Sequence, residues 1–132
     1  MALAMVYFDP RARALINNAQ FDWTRWYAPA VNTLRARRLK SVLPADLRAK
    51  YPLRTNVLNL LSTMSEAPQV DYWVNTASDH DREIDYPEFE QFCRNFPSLA
   101  ATMRCHQYHD PGAGHNPLSK ADTLRILAGA HS

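Results

Sequence analysis

The sequence predicts an all-α fold, a compact single domain of six or seven short helices spanning residues 1–132. The chain has only three glycines against nine prolines, and it lacks the Asn-Gly and Asp-Gly pairs that are typical of β-hairpins. Apolar residues recur at helical spacing, most regularly over residues 53–66. A chain of 132 residues, 46% of them hydrophobic, is long enough to bury one core.

Prolines and short polar residues mark where the predicted helices of the first half begin. Asp9-Pro10 has the order of an N-cap and a first-turn proline, and Pro29 and Pro44 open helices in the same way. Residues 3–8 are the one stretch for which a strand is an alternative. The predicted segments are, in order, a helix over residues 11–19, a short turn over 22–27, a longer helix over 29–42, a short helical piece over 44–51 and a helix over 53–66.

The second half predicts further helices separated by a charged loop and a glycine-containing loop. Asp85, Pro87 and Glu88 follow the order of a capping box, and Ser119 has the position of an N-cap. The predicted helices are residues 70–77, 85–96, 97–107 and 119–128, with loops at 78–83 and 109–118. The expected core consists of two apolar stripes, Leu53, Val57, Leu60, Leu61 and Met64 in one helix and Phe89, Phe92, Cys93 and Phe96 in another.

Charge is distributed very unevenly along the chain. Residues 1–54 carry ten basic and three acidic side chains, a net charge of +7, whereas residues 55–132 carry five basic and ten acidic ones, a net charge of −5. Most of the acidic residues lie within 66–90, where Arg82 is the one basic residue. The N-terminal half therefore predicts a partner that is itself acidic.

The basic residues of the N-terminal half follow three aromatic residues that are able to stack on bases. This combination predicts a surface for nucleic acid or for an acidic protein. The alternative is that residues 66–90 fold over the basic half and neutralise it. The predicted binding residues are Trp23, Trp26, Tyr27, Arg35, Arg37, Arg38, Lys40, Arg48, Lys50 and Arg54.

Residues 77–89 carry acidic side chains at the spacing of a calcium-binding loop. Asp79, Asp81 and Asp85 take the third, fifth and ninth positions and Glu88 the twelfth, so the segment resembles the loop of an EF-hand. It departs from that pattern at the first position, which is alanine, and at the sixth, which is arginine instead of glycine. A solvated acidic loop leading into a capped helix is the alternative.

A second group of possible metal ligands lies near the C-terminus. Cys105, His106, His109 and His115 offer a thiolate and three imidazoles within eleven residues, which are ligand types that bind zinc. Their spacing matches no ordinary zinc finger. Surface histidines in a mobile loop are the alternative.

The sequence contains none of the common catalytic motifs, such as G-x-S-x-G, a Walker loop, a dinucleotide fingerprint or H-E-x-x-H. Residues 1–8 form an apolar run too short to cross a bilayer, and two cysteines fit a reducing compartment. We therefore expect a cytoplasmic, non-enzymatic binding protein of bacterial or phage type, without a cofactor or a membrane, acting on nucleic acid or a nucleic-acid-handling complex. The alternatives are a protein-docking adaptor or inhibitor that uses the three aromatic residues, and a degenerate EF-hand-like calcium-binding module.

Overall fold

The computed structural model describes residues 2–38 and 42–129, with all their side chains except that of Trp26. Within these residues the fold is mixed α/β, because three parallel strands form one sheet that helices connect and cover. The strands are β1 (Arg13–Asn17), β2 (Gln69–Asn75) and β3 (Met103–Tyr108). The helices are α1 (Ala2–Phe8), α2 (Thr24–Ala36), α3 (Pro44–Lys50), α4 (Pro52–Thr55), α5 (Val57–Leu61), α6 (Tyr86–Asn95), α7 (Pro97–Ala100) and α8 (Lys120–Gly129), with a π-helical turn at Asp81–Asp85.

The prediction of an all-α helical bundle is therefore wrong, and β2 shows why. This strand is central and pairs in parallel with β1 on one side and β3 on the other. Five of its seven residues are buried, on both faces of the sheet. Its apolar residues, Val70, Tyr72, Trp73 and Val74, form a short run whose spacing alone does not distinguish a strand from a buried helix.

The two edge strands were also predicted as parts of helices. The buried residues of β1 alternate, and its Ala14 and Ile16 lie in register with Val70 and Tyr72 of β2. Residues in register share a face of the sheet, so these four side chains face the core together. The helix predicted over residues 11–19 is replaced by a turn and β1. Asp9 accepts hydrogen bonds from Arg11 in this turn.

Parallel strands need long crossover connections, and helices fill both of them. Helices α2 to α5 connect β1 to β2, while the π-helical turn, α6 and α7 connect β2 to β3. The predicted helix over residues 53–66 is divided at Asn56, whose backbone is extended and whose side chain accepts a hydrogen bond of 2.9 Å from the Leu58 amide. Helix α2 runs through Pro29, so the two segments predicted around that proline are one helix.

Several predicted elements are confirmed. Helix α3 begins at Pro44, and α8 follows Ser119, whose hydroxyl accepts a hydrogen bond from the Asp122 amide. The phenylalanine-bearing helix is α6, but Asp85 has a helical backbone and makes no capping hydrogen bond, so the predicted N-cap is wrong. The loop predicted at residues 78–83 is also wrong, because this segment enters the π-helical turn.

The hydrophobic core lies between one face of the sheet and helices α1, α5, α6 and α7. Tyr72 is at its centre, with ring centroids 5.0 Å from Phe89 and 5.5 Å from Phe21. Two predicted core residues lie elsewhere, since Leu53 is 45% exposed and Phe96 is 37% exposed. The buried core residues are Leu3, Val6, Ala14, Ile16, Phe21, Leu58, Leu61, Val70, Tyr72, Val74, Phe89, Phe92 and Leu99.

None of the helices in the described part of the chain has the length and apolar character needed to cross a lipid bilayer.

Candidate functional site

The basic residues predicted as a binding site lie in the first crossover, on helices α2, α3 and α4 and, for Arg37 and Arg38, just after α2. Helix α2 packs against α3, and α3 packs against α4, so these cations are carried on the exposed surface of neighbouring helices. Lys40 lies outside the described residues, as does the side chain of Trp26. The remaining predicted cations, all exposed, are Arg35, Arg37, Arg38, Arg48, Lys50 and Arg54.

Tyr51 lies next to two of these cations, and the sequence did not predict it as a binding residue. It lies between α3 and α4 with 39% of its surface exposed. The Lys50 ammonium lies 5.3 Å from the centre of its ring, and the Arg54 guanidinium lies 5.9 Å from it. Both distances allow a cation–π interaction. The signal present in the sequence was an aromatic residue with cations one position before and three positions after it.

Trp23, at the start of α2, contacts Arg54 of α4. Its indole Nε1 donates a hydrogen bond of 2.7 Å to the Arg54 carbonyl, and its ring centroid lies 6.1 Å from that of Tyr27. Because Trp23 is 45% exposed, its ring remains accessible beside Arg54. We call Trp23, Tyr27, Lys50, Tyr51 and Arg54, with the neighbouring arginines of α2 and α3, the basic–aromatic surface.

Acidic residues neutralise little of this surface. Within 66–90, Asp79 and Glu83 pair with Arg82 of the same stretch, and Glu90 pairs with Arg94 just after it. In the basic half, ion pairs connect Arg13 to Asp71, Arg25 to Asp85 and Glu88, and Arg48 to Asp22. Among the residues that the structure describes, no ion pair involves Arg35, Arg37, Arg38, Lys50 or Arg54.

An apolar groove opens beside Trp23 and Arg54. Its volume is about 730 Å³, and helices α1, α4 and α5 supply most of its walls. Its side chains include Phe8, Phe21, Leu53, Val57 and Leu60.

A second group of polar side chains meets at the π-helical turn. Helical residues run continuously from 79 to 95, and Pro87 lies inside this run. Because proline has no amide hydrogen and its ring clashes with the carbonyl four residues earlier, a regular α-helix is disfavoured here. The Tyr86 amide instead donates to the Asp81 carbonyl, five residues back, which is the hydrogen bond of a π-helix.

This turn directs two carboxylates into the protein, where two histidines meet them. Asp81 and Asp85 have no solvent exposure. Nδ1 of His115 lies 2.8 Å from Oδ1 of Asp81, and Nε2 of His80 lies 3.1 Å from Oδ2 of Asp85. The two imidazoles are in edge-to-face contact, with centroids 5.1 Å apart. We call these four residues the carboxylate–histidine cluster.

Burial and charge perturb the acidity of this region. Burial, together with the neighbouring charge of Asp81, raises the pKa of Asp85 to about 7, although Arg25 opposes both effects. Burial also raises the pKa of the Tyr72 hydroxyl well above its usual value, with the charges of Asp85 and Asp81 adding to the effect. The two carboxylates and the tyrosine therefore share one buried region of negative potential.

The residues proposed as an EF-hand loop do not converge on one point. Asp79 is exposed and pairs with Arg82, and Glu88 pairs with Arg25. Only Asp81 and Asp85 of that set come together, because the segment is helical where an EF-hand has a loop.

The four possible zinc ligands near the C-terminus are likewise separated. Cys105 and His106 are consecutive in β3, so their side chains point to opposite faces of the sheet. His106 contacts Asp71 and His109 contacts Thr76, whereas His115 belongs to the carboxylate–histidine cluster. Sequence analysis therefore named Asp81, Asp85 and His115 in two separate hypotheses and did not name His80.

No protein-family model, curated protein or solved structure matches this chain.

Proposed function

We propose that this protein binds single-stranded nucleic acid through the basic–aromatic surface. The observation that carries the proposal is the arrangement at Tyr51, an exposed ring with the cations of Lys50 and Arg54 each within 6 Å of its centre. Proteins that bind single strands combine cations that follow the phosphates with aromatic rings on which bases stack. The surface supplies both within one short connection between α3 and α4.

The charges of the surface support the same proposal. Lys50 and Arg54 have no carboxylate partner among the described residues, so their charges are available to an external anion. Arg35, Arg37 and Arg38 extend this positive potential along the end of α2. The apolar groove beside Trp23 offers a place for a base turned out of its strand.

The first experiment measures the affinity for oligo-dT, oligo-U and a mixed-sequence duplex over a range of salt concentrations. We expect tighter binding of the single strands and a steep loss of affinity as salt rises, because each phosphate contact releases counterions. Lys50→Gln with Arg54→Gln removes two such contacts. The slope of log affinity against log salt should then fall by about 1.4, at about 0.7 for each contact to a single strand.

A second variant separates stacking from charge. Tyr51→Leu leaves the net charge unchanged, and we expect it to weaken single-strand binding by about fivefold or more at every salt concentration. Arg94→Gln with Lys120→Gln is the matched control, since it removes two charges from α6 and α8 and should leave the single-strand affinity close to that of the parent protein. Equal losses in the control and in the α3–α4 variant would contradict the proposal.

An acidic protein is the other class of partner that the charges allow. Binding of poly-glutamate in the same assay, without binding of either single strand, would overturn the nucleic-acid proposal in favour of a protein-docking role. A cytoplasmic location belongs to the proposal and is supported by the two free thiols, Cys93 and Cys105, which persist in reducing compartments.

A further inference from the structure

The carboxylate–histidine cluster contains buried polar atoms that the surrounding protein does not satisfy. Oδ2 of Asp81 and both carboxylate oxygens of Asp85 are buried and accept no hydrogen bond from the described residues. Nε2 of His80 is also buried without a hydrogen bond, although it lies 3.1 Å from Oδ2 of Asp85. The two atoms are close but not aligned for a hydrogen bond.

Buried polar atoms without hydrogen bonds lower the stability of the folded protein. A buried ionised carboxylate without hydrogen bonds is strongly disfavoured, and two in one site also repel each other. Arg25 offsets only part of this cost, because its guanidinium lies 3.5 Å from Oδ1 of Asp85 and is shared with Glu88. An unsatisfied buried polar group in a folded protein calls for a specific explanation, and a bound ion is a common one.

We propose that Asp81, Asp85 and His115 bind a divalent transition-metal cation of the Zn²⁺ type. One ligand atom from each residue lies within 4.8 Å of the other two. Metal–ligand bonds of about 2.0–2.2 Å place two ligands of one ion at most about 4.4 Å apart, so small side-chain movements complete the site. His80, in contact with both Asp85 and the His115 ring, is a positioning residue for these ligands.

The donor set determines the class of cation. Two carboxylate oxygens alone would suit Mg²⁺ or Ca²⁺, but an imidazole nitrogen favours zinc and its first-row neighbours. A cation here would connect the π-helical turn of the β2–β3 crossover to the loop that follows β3, since His115 belongs to that loop.

The test uses the full chain, stripped of metal with a chelator and then titrated separately with Zn²⁺, Mn²⁺, Ca²⁺ and Mg²⁺. We expect one Zn²⁺ to bind per chain and to raise the melting temperature by about 5–10 °C at a hundredfold excess over the dissociation constant. The same concentrations of Ca²⁺ and Mg²⁺ should leave it unchanged. A response to Ca²⁺ but not to Zn²⁺, or to none of the four ions, would overturn the proposal.

Matched variants separate metal binding from folding. Asp85→Asn should lose the Zn²⁺ response and yet melt, in the presence of chelator, no lower than the parent, because it removes a buried charge. Asp79→Asn changes an exposed carboxylate two positions before Asp81 and should keep the full response. Equal responses in Asp79→Asn and Asp85→Asn would contradict the proposed ligands.

Free thiols also bind zinc, so a variant with Cys93→Ser and Cys105→Ser is required. We expect it to retain one bound Zn²⁺ and the rise in melting temperature. Loss of both would assign the ion to the cysteines and overturn the proposal.

Discussion

At the scale of single residues, Asp71 is the polar centre of the sheet face opposite the core. Its Oδ2 lies 2.6 Å from the Arg13 guanidinium, and its Oδ1 lies 3.0 Å from Nε2 of His106. His106 in turn stacks on Trp73 at a centroid distance of 4.5 Å. Burial alone would raise the pKa of Asp71, but the hydrogen bonds from His106 and Arg13 outweigh it and hold the pKa below its usual value.

This lowered pKa makes the contribution of Asp71 to stability depend on pH. Its carboxylate stabilises the fold fully above the unfolded-state pKa of about 3.9, and the contribution disappears as the pH falls through the lower folded-state value. Asp71→Asn should therefore reduce the free energy of unfolding by about 1–2 kcal/mol at neutral pH, a range that allows for the solvent around half-exposed Arg13. Urea unfolding at pH 7 and at progressively lower pH measures the difference, and a difference that stays constant down to pH 2 would argue against the assignment.

At the scale of elements, the division of the predicted helix at Asn56 gives two leucines opposite environments. Leu61 of α5 is completely buried, whereas Leu53 of α4 is 45% exposed. We expect Leu61→Ala to cost about 2–5 kcal/mol of unfolding free energy, since it leaves a cavity in the core. Leu53→Ala should cost less than about 1 kcal/mol. Chemical denaturation of both variants beside the parent tests this, and equal losses would mean that residues 53–66 form the single amphipathic helix that the sequence predicts.

The elements that sequence analysis predicted correctly are those with local signals. Pro44 and Ser119 mark helix starts through their own backbone geometry and side chain, and both predictions are confirmed. The strands lack any such signal, because β2 is a central strand only when β1 and β3, which are distant in the sequence, pair with it on either side. The sequences of β1 (Arg-Ala-Leu-Ile-Asn) and β3 (Met-Arg-Cys-His-Gln-Tyr) do not show the regular alternation of apolar and polar residues that indicates a strand.

The residues of the candidate sites could likewise be predicted only where they are close together in the sequence. The cations around Tyr51 were found because they are close together in sequence, and the ring between them was overlooked. The carboxylate–histidine cluster requires His115 to meet Asp81 across 34 residues, a contact that only the fold supplies. The i, i+4 spacing of Asp81 and Asp85 was a local signal that these two side chains share one side of a helix.

At the scale of the whole molecule, the parallel sheet determines how the chain can fold. Arg13 of β1 lies opposite Gln69 of β2, and both crossovers must close before the sheet is complete. Such non-local pairing slows folding, so we expect the main refolding phase to take milliseconds to seconds, where a helical bundle would take microseconds to milliseconds.

Stopped-flow tryptophan fluorescence measures this phase. A double-jump protocol, in which the chain is unfolded only briefly, keeps the prolines in their native isomers and removes the slow phases they would add. Refolding that is complete within the dead time of the mixer would contradict the expectation.

Arg25 extends from α2, in the crossover that carries the basic–aromatic surface, and reaches Asp85 and Glu88 in the other crossover. A metal cation bound to Asp85 would interact with the same carboxylate as the guanidinium of Arg25 does. If both proposals hold, the two ligands are thermodynamically linked through this residue. Whatever factor the cation imposes on the affinity for a single strand, the strand must impose the same factor on the affinity for the cation.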